Sequence, residues 1–527
     1  MYRARVRLRL ATRPVALGAC AVLAAGAVGS GGTAAASSGS QTAAPVVYAS
    51  STDGGITEFD AATGAALGSI PTDGEANAVA FSPDGGTLFA AETTNDLAVI
   101  DVATNTVVRR IALGQFPDAI AFSPDGGTAY VANEYSNTVS VVDTANGLVT
   151  ATIAVGTDPT SVAISPDGST LYVANALGDS MSVISTASET VSSTVSLGSG
   201  TEPISVVLSP DGRTAYVTDF LSNAVSLVNT STRLVMATIP VGTSPYGIAL
   251  SPSGATAYVA DMGADTVSVI DLATGSVAAT VPVSGDPTHL AVSQDGGSLY
   301  VTAFNNPDGV TVVNTATNTV TGPLAGIAHG WAVAVSPLPQ VTELSPASGP
   351  TAGGNQVAIT GPGIGDATAV SFGGVPATSF TAVSPDGIEA VAPPGTAGVV
   401  DVTVTTPRGT SPATPADKYD YLGTPTVTAL TPLSGTSFGG TVVTITGNGF
   451  SGATTVHFGS APATISSQTL TRLTVTAPAG ALNSTVDVTV TTPLGTSATG
   501  PADRFSYRNL IGTPPTIPPA PGGGNLQ

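Results

Sequence analysis

Acid–base or metal chemistry near neutral pH needs imidazoles, thiols or clustered carboxylates, and this chain is poor in the first two. Its 527 residues contain three histidines (His289, His329 and His457), one tryptophan (Trp331) and one cysteine (Cys20). So few imidazoles argue against a multi-histidine metal site and leave few general bases. His457 precedes Phe458 in an alternating stretch and reads as a surface strand residue. Cys20 lies inside an apolar run near the start, so neither a disulfide nor a thiol nucleophile is expected. No G-x-S-x-G elbow falls between a strand and a helix, and there is no Cys/His pair and no H-x-x-x-H motif. Gly353-Gly354 and Gly439-Gly440 precede strands, so they lack the helix N-terminus that would hold a phosphate.

His289 and His329 gain meaning from the repeat in which they sit. A Ser-Pro-Asp-Gly marker or near copy begins at Ser82, Ser123, Ser165, Ser209, Ser251, Ser293 and Ser336, at spacings of 41, 42, 44, 42, 42 and 43. A sustained period in the 40s with several short strands per unit marks a β-propeller, one four-stranded blade per unit. Within the unit of residues 123–164, alternation gives strands at 128–133, 138–143 and 148–155, and a fourth at 159–164 leads into the next marker. Pro presets the turn, Asp accepts a local hydrogen bond and Gly permits positive φ, so the marker is a tight hairpin and not a site. The Asp-x-Ala-Thr stretches at 101–104 and 271–274 turn the next hairpin.

The phase of the repeat predicts how the ring closes. The chain enters at Val46 with VVYASS, which matches the strand after the turn, and leaves through WAVAV at 331–335, which matches the strand before it. The last leading strand should therefore pair with the N-terminal strands of residues 46–70, giving seven blades and no open edge.

With the leading strand innermost, three columns of the repeat reach one mouth of the central channel. Four residues before each marker stand Ala78, Ala119, Ser161, Ser205, Gly247, His289 and Ala332. Seven before stand Glu75, Phe116, Asp158, Glu202, Ser244, Asp286 and His329. After the Tyr-Val-Ala stretch or its equivalent come Glu92, Asn133, Asn175, Asp219 and Asp261. The candidate binding set is Glu92, Asp158, Glu202, Asp219, Asp261, Asp286, His289, His329 and Trp331, with no catalytic or metal assignment. Carboxylates beside two imidazoles and an indole suit a cation, a cationic ligand or a sugar. The competing explanation is that strand ends carry Asp, Asn and Glu because these residues form turns in water. No cofactor is expected, although the mouth leaves room for a divalent cation.

Composition sets the class and the compartment. Charged residues make up 9%, with 62 Gly and 40 Pro, which suits strands joined by turns and an all-β fold. The net charge is −21, and five arginines (Arg3, Arg5, Arg7, Arg9 and Arg13) precede Ser37 with no acid among them, so the remainder carries −21 − 5 = −26. Lys418 is the only lysine, so no basic groove can form and nucleic acid is not an expected partner. An Arg-rich start, an apolar run over 15–29 and Ala34-Ala35-Ala36 have the layout of a secretory signal peptide. Leu17-Gly18-Ala19-Cys20 is similar to a bacterial lipoprotein box, but apolar sequence continues past the cysteine. No later stretch reaches the roughly 18 apolar residues of a membrane span.

Tyr130-Val131-Ala132-Asn133, Tyr172-Val173-Ala174-Asn175, Tyr216-Val217-Thr218-Asp219 and Tyr258-Val259-Ala260-Asp261 resemble the YVTN-type β-propeller repeat over residues 46–338. That resemblance implies secreted or cell-surface bacterial and archaeal proteins, and a fold shared with lactonases and lyases, without implying one activity. Beyond Ser336 two copies of another unit follow, with Pro346 and Pro432, Gly354 and Gly440, Phe372 and Phe458, Pro407 and Pro493, and Tyr421 and Tyr507 each 86 apart. SPASGPTAGGNQVAITG at 345–361 and TPLSGTSFGGTVVTITG at 431–447 resemble the IPT/TIG family of immunoglobulin-like domains. Ser384-Pro385-Asp386-Gly387 repeats the propeller marker by accident, since no Tyr-Val-Ala-Asn follows.

The expected organisation is a signal peptide (1–36), a linker (37–45), a seven-bladed propeller (46–338), two Ig-like β-sandwiches (339–422 and 423–508) and an unstructured Pro/Gly-rich tail (509–527). The expected function is a non-enzymatic, exported, monomeric binding protein. The propeller would be the platform for a cell-surface protein or carbohydrate, and the sandwiches spacers or adhesive modules. The alternative is a lactonase-like or streptogramin-lyase-like enzyme using His289 or His329 with the mouth carboxylates.

Overall fold

The structure is a computed structural model that describes residues 45–306, 309–450 and 452–509. The leader, Cys20 and the tail from 510 lie outside the described residues.

Between residues 46 and 335 the chain forms four-stranded antiparallel sheets in a propeller-like arrangement. Among the described residues, six of these sheets are built from consecutive strands. The sheet of Pro117–Phe122, Thr128–Asn133, Thr138–Asp143 and Leu148–Ala154 is representative. Its second strand, TAYVAN, is buried along nearly its whole length, whereas the outer strand exposes most of its residues. That gradient explains the apolar Tyr-Val-Ala against the Thr-rich outer strands: burial on both faces removes alternation, and an edge strand beside water restores polarity. The remaining sheet joins both ends of the region. Val46–Ser51, Ile56–Asp60 and Ala66–Ile70 pair with Gly330–Val335, in the register Val47↔Val335 and Ala49↔Val333. Val46 N donates to Ser336 Oγ at 3.0 Å, and Ser336 N donates to the Val46 carbonyl at 2.8 Å. Leading strands contact their neighbours in a closed cycle, with Gly330–Val335 beside Ala76–Phe81.

The marker turn has the expected local chemistry. Asp125 Oδ1 accepts from Ser123 Oγ at 2.6 Å and from Gly127 N at 3.1 Å, and Gly126 holds φ +73. It also touches the neighbouring marker turns. Each marker proline lies against the glycine of the next marker: a Cβ on Gly126 would meet Pro83 Cδ at 3.2 Å, and one on Gly168 would meet Pro124 Cδ at 3.0 Å. The stack closes across the chain ends, where Pro337 approaches Gly85. At Gln294, which replaces the proline of its marker, the amide oxygen instead accepts from Leu338 N at 2.7 Å. The marker therefore couples neighbouring sheets as well as turning the chain.

Residues beyond 338 form two further units with matching cores. The first buries Val357, Ile359, Phe372, Val402, Val404, Tyr419 and Tyr421, and the second Val443, Ile445, Phe458, Val488, Val490, Phe505 and Tyr507. Edge-on aromatic pairs sit at corresponding places, Phe372 with Tyr419 at 5.1 Å and Phe458 with Phe505 at 5.0 Å.

Candidate functional site

The leading strands enclose a cavity of about 190 Å³ whose lining includes Asp118, Ser161, Ser205, Tyr246, Gly247 and His289. His289 stands on the strand Pro287–Val292, and its Nδ1 lies 2.7 Å from the Trp331 carbonyl. A carbonyl only accepts, so Nδ1 carries the proton and Nε2 is the acceptor of the neutral ring. Thr302 and Thr288 hydroxyls reach the same oxygen at 2.7 and 2.9 Å, making it the knot that holds the imidazole. Tyr246 packs edge-on against both His289 (5.4 Å) and Trp331 (5.6 Å). Trp331 is 2% exposed and supports this wall from behind.

His329 has a different setting. It is about half exposed, and its Nδ1 lies 2.9 Å from Asp53 Oδ2. It does not line the cavity. Phe304 stands between the two regions, 6.1 Å from Trp331 and 6.2 Å from His329, so the histidines mark the two ends of a row of rings and do not share a pocket.

The carboxylates expected to ring the mouth separate into two groups. Glu92, Asp219 and Asp261 are buried within their own sheets. Asp219 accepts from Ser226 Oγ at 2.6 Å; Asp261 accepts from Ser268 Oγ at 2.7 Å and Thr266 Oγ1 at 3.0 Å. Asn133 and Asn175 reach Ser140 and Ser182 in the same way, at 2.9 and 3.0 Å. The side chain after Tyr-Val-Ala thus ties the second strand to the third and does not present an open carboxylate, a correction to the expected mouth. Where Ala98 replaces the serine, Glu92 takes a different partner, Arg110 on the outer strand at 2.5 Å, and Arg110 also meets Asp96 and Asp73 at 3.0 Å. Burial raises all three acids above the usual carboxylate range, Asp219 to about 7. Asp219 stands out because Ala224 occupies the place of Thr266, leaving one hydroxyl donor where Asp261 has two.

Asp158, Glu202 and Asp286 form the second group. Each precedes a leading strand in the left-handed region, at φ 64, 52 and 59. Each backbone N–H is held by a side chain of the adjacent hairpin: Asp158 by Asn137, Glu202 by Asp179 and Asp286 by Asp265, at 2.8 to 3.0 Å. Phe116, Ser244 and His329 adopt the same conformation, so the backbone accommodates a carboxylate there without demanding one. Asp286 also accepts from Asn305 Nδ2 at 2.6 Å.

Asp118 and Tyr246 were missing from the sequence-derived set. Both stand five residues before a marker, in a column reading Asn77, Asp118, Thr160, Ile204, Tyr246, Thr288 and Trp331. Its variability beside the uniform Val/Ile/Leu column two places on was the available signal. Among the described residues no group of three or more His, Cys, Asp or Glu is arranged to hold a metal ion, and no helix is long and apolar enough to cross a membrane.

The IPT/TIG domain model matches residues 339–421 and 425–507, so the chain carries two IPT/TIG domains. Residues 38–248 match the model described as Choice-of-anchor I domain. No curated protein matches the chain. Among solved structures, a functionally unknown protein from Desulfotomaculum acetoxidans is 18% identical with a TM-score of 0.50, covering 55% of this chain and 98% of its own, a likeness of fold alone. Hydrazine synthase of Kuenenia stuttgartiensis is 26% identical over 46% of this chain and 76% of its own, with a TM-score of 0.43.

Proposed function

We propose that this is a non-enzymatic interaction protein, exported to the cell surface or medium and monomeric. Its ring is a seven-bladed propeller of the YVTN type, and its ligand is a protein or carbohydrate of the cell surface. The observation that carries this reading is the pairing of tandem IPT/TIG domains with a region matching a Choice-of-anchor model in one acidic chain with a leader-like start. The cavity bounded by Asp118, Tyr246 and His289 is the recognition site, because it brings a carboxylate, a phenol and an oriented imidazole to one small space. Adding protease to intact cells of the native host tests the location: degradation is expected, and full protection until lysis would overturn it.

A lactonase-like or lyase-like activity is the second reading, favoured by the orientation of the His289 imidazole, whose Nδ1 donates to the Trp331 carbonyl beside the cavity. Turnover of a lactone panel by the wild type that disappears in H289A would establish it. Absence of turnover leaves binding as the function.

A further inference from the structure

The contact between the ring and the first IPT/TIG domain differs from a flexible tether. The connection occupies only residues 337–340, two of them prolines, and both ends are fixed. Ser336 is bonded into the closing sheet, Leu338 N is held by Gln294, Gln340 N donates to the Pro362 carbonyl at 3.1 Å, and Val341 is 2% exposed within the domain core. Arg408 crosses beside this short link. Its side chain is 8% exposed, and its Nη2 donates to the Gly363 carbonyl of its own domain at 2.9 Å. Its Nη1 reaches the Asp84 carbonyl of the ring's first marker turn at 3.4 Å, and Asp366 lies 3.8 Å away.

The approach is so close that both partners need glycine. A Cβ on Gly85 would meet Arg408 Nη1 and Pro337 Cγ at 2.7 Å, and a Cβ on Gly363 would meet the Asp84 carbonyl at 2.7 Å. Clefts of about 420 and 380 Å³ flank the contact, and Asp386 of the marker-like Ser384-Pro385-Asp386-Gly387 lines both. The second IPT/TIG domain has Leu494 where the first has Arg408, 86 residues earlier.

We propose that the first IPT/TIG domain is keyed rigidly onto the ring, with Arg408 as the key, so that the two move as one body. The domain covers part of the face bearing the Ser-Pro-Asp-Gly turns. Ligands are thereby directed to the opposite end, where the second strands run into the third. A guanidinium is suited to this place because its planar fork can serve carbonyls on two domains at once while staying charged. An unkeyed pair of domains would be expected to move relative to one another, since interfaces within a chain are usually small and polar.

The test is a distance distribution measured by pulsed electron spin resonance between labels at S231C and A413C in full-length protein carrying C20S. A single narrow distribution is expected, and R408L, which installs the residue of the second domain, should broaden it at least about twofold. G85A should also broaden it while leaving the IPT/TIG domain unaltered, which separates loss of the key from misfolding of the domain. A broad distribution in the unsubstituted parent, or a width unchanged in both R408L and G85A, would overturn the proposal.

Discussion

Asn133 and Asp219 occupy the same place in two sheets of the ring and hold the same partner, a serine hydroxyl on the third strand, but only one of them titrates. The amide donates to Ser140 and Thr138 and stays neutral at every pH. The acid accepts from Ser226, and burial pushes it to about 7, so near neutrality it is divided between a neutral form resembling the amide and a buried charge. Glu92 is a third solution, a buried carboxylate held by Arg110. One backbone site therefore tolerates three electrostatic arrangements, provided the hydroxyl, or a guanidinium in its place, is supplied.

The largest way to break the equivalence is pH. Folding raises Asp219 above its unfolded value, so its contribution is complete below pH ~4 and is lost as pH rises through 7, by about 4 kcal/mol at most. Urea unfolding of D219N should remove that slope, leaving the variant more stable than wild type at pH 8. A slope identical in the two proteins would refute the assignment. Next in size, R110A leaves the Glu92 carboxylate buried without its cation and should cost about 2–3 kcal/mol, more at pH 8 than at pH 5.

Serine removal then sharpens the contrast between amide and acid. S226A deprives a partly ionised carboxylate of its hydroxyl and should cost roughly 2 kcal/mol at pH 8, whereas S140A, with Thr138 still bonded to Asn133, should cost about 1. Equal losses in the two would show that charge plays no part. The smallest effect is expected from A224T, which restores the second donor: the carboxyl resonance of Asp219 should titrate below 7, towards the behaviour of Asp261.

Much of the ring was legible because turn chemistry repeats at a fixed interval and because the strand phase at Val46 and Trp331 pointed to the shared sheet. Side-chain direction was not. A period of two gives the face of a residue inside a strand, but at the strand end the backbone leaves the ladder, and Asp219 could point to the channel or to Ser226. The clue lay in covariation within the repeat: serine stands at 140, 182, 226 and 268 wherever Asn or Asp follows the Tyr-Val-Ala stretch, and where Ala98 breaks the rule Glu92 and Arg110 appear. Asp118 and Tyr246 were less legible because their column mixes them with Asn77, Thr160, Ile204, Thr288 and Trp331 and so shows no common chemistry. The marker-like Ser384-Pro385-Asp386-Gly387 lacks a following Tyr-Val-Ala-Asn, which excludes it from a blade but carries no information about what lies across a domain boundary.

The sheet shared between Val46–Ser51 and Gly330–Val335 also orders events in time. A chain emerging from a ribosome can complete the six consecutive sheets one after another, since each is local in sequence. The joining sheet must wait until residue 335 is out, with the first three strands held open in the meantime. Those strands include VVYASS, six residues buried in the closed ring, so throughout that delay an apolar edge is available to other chains. The molecule is thus most exposed to aggregation just before it is finished.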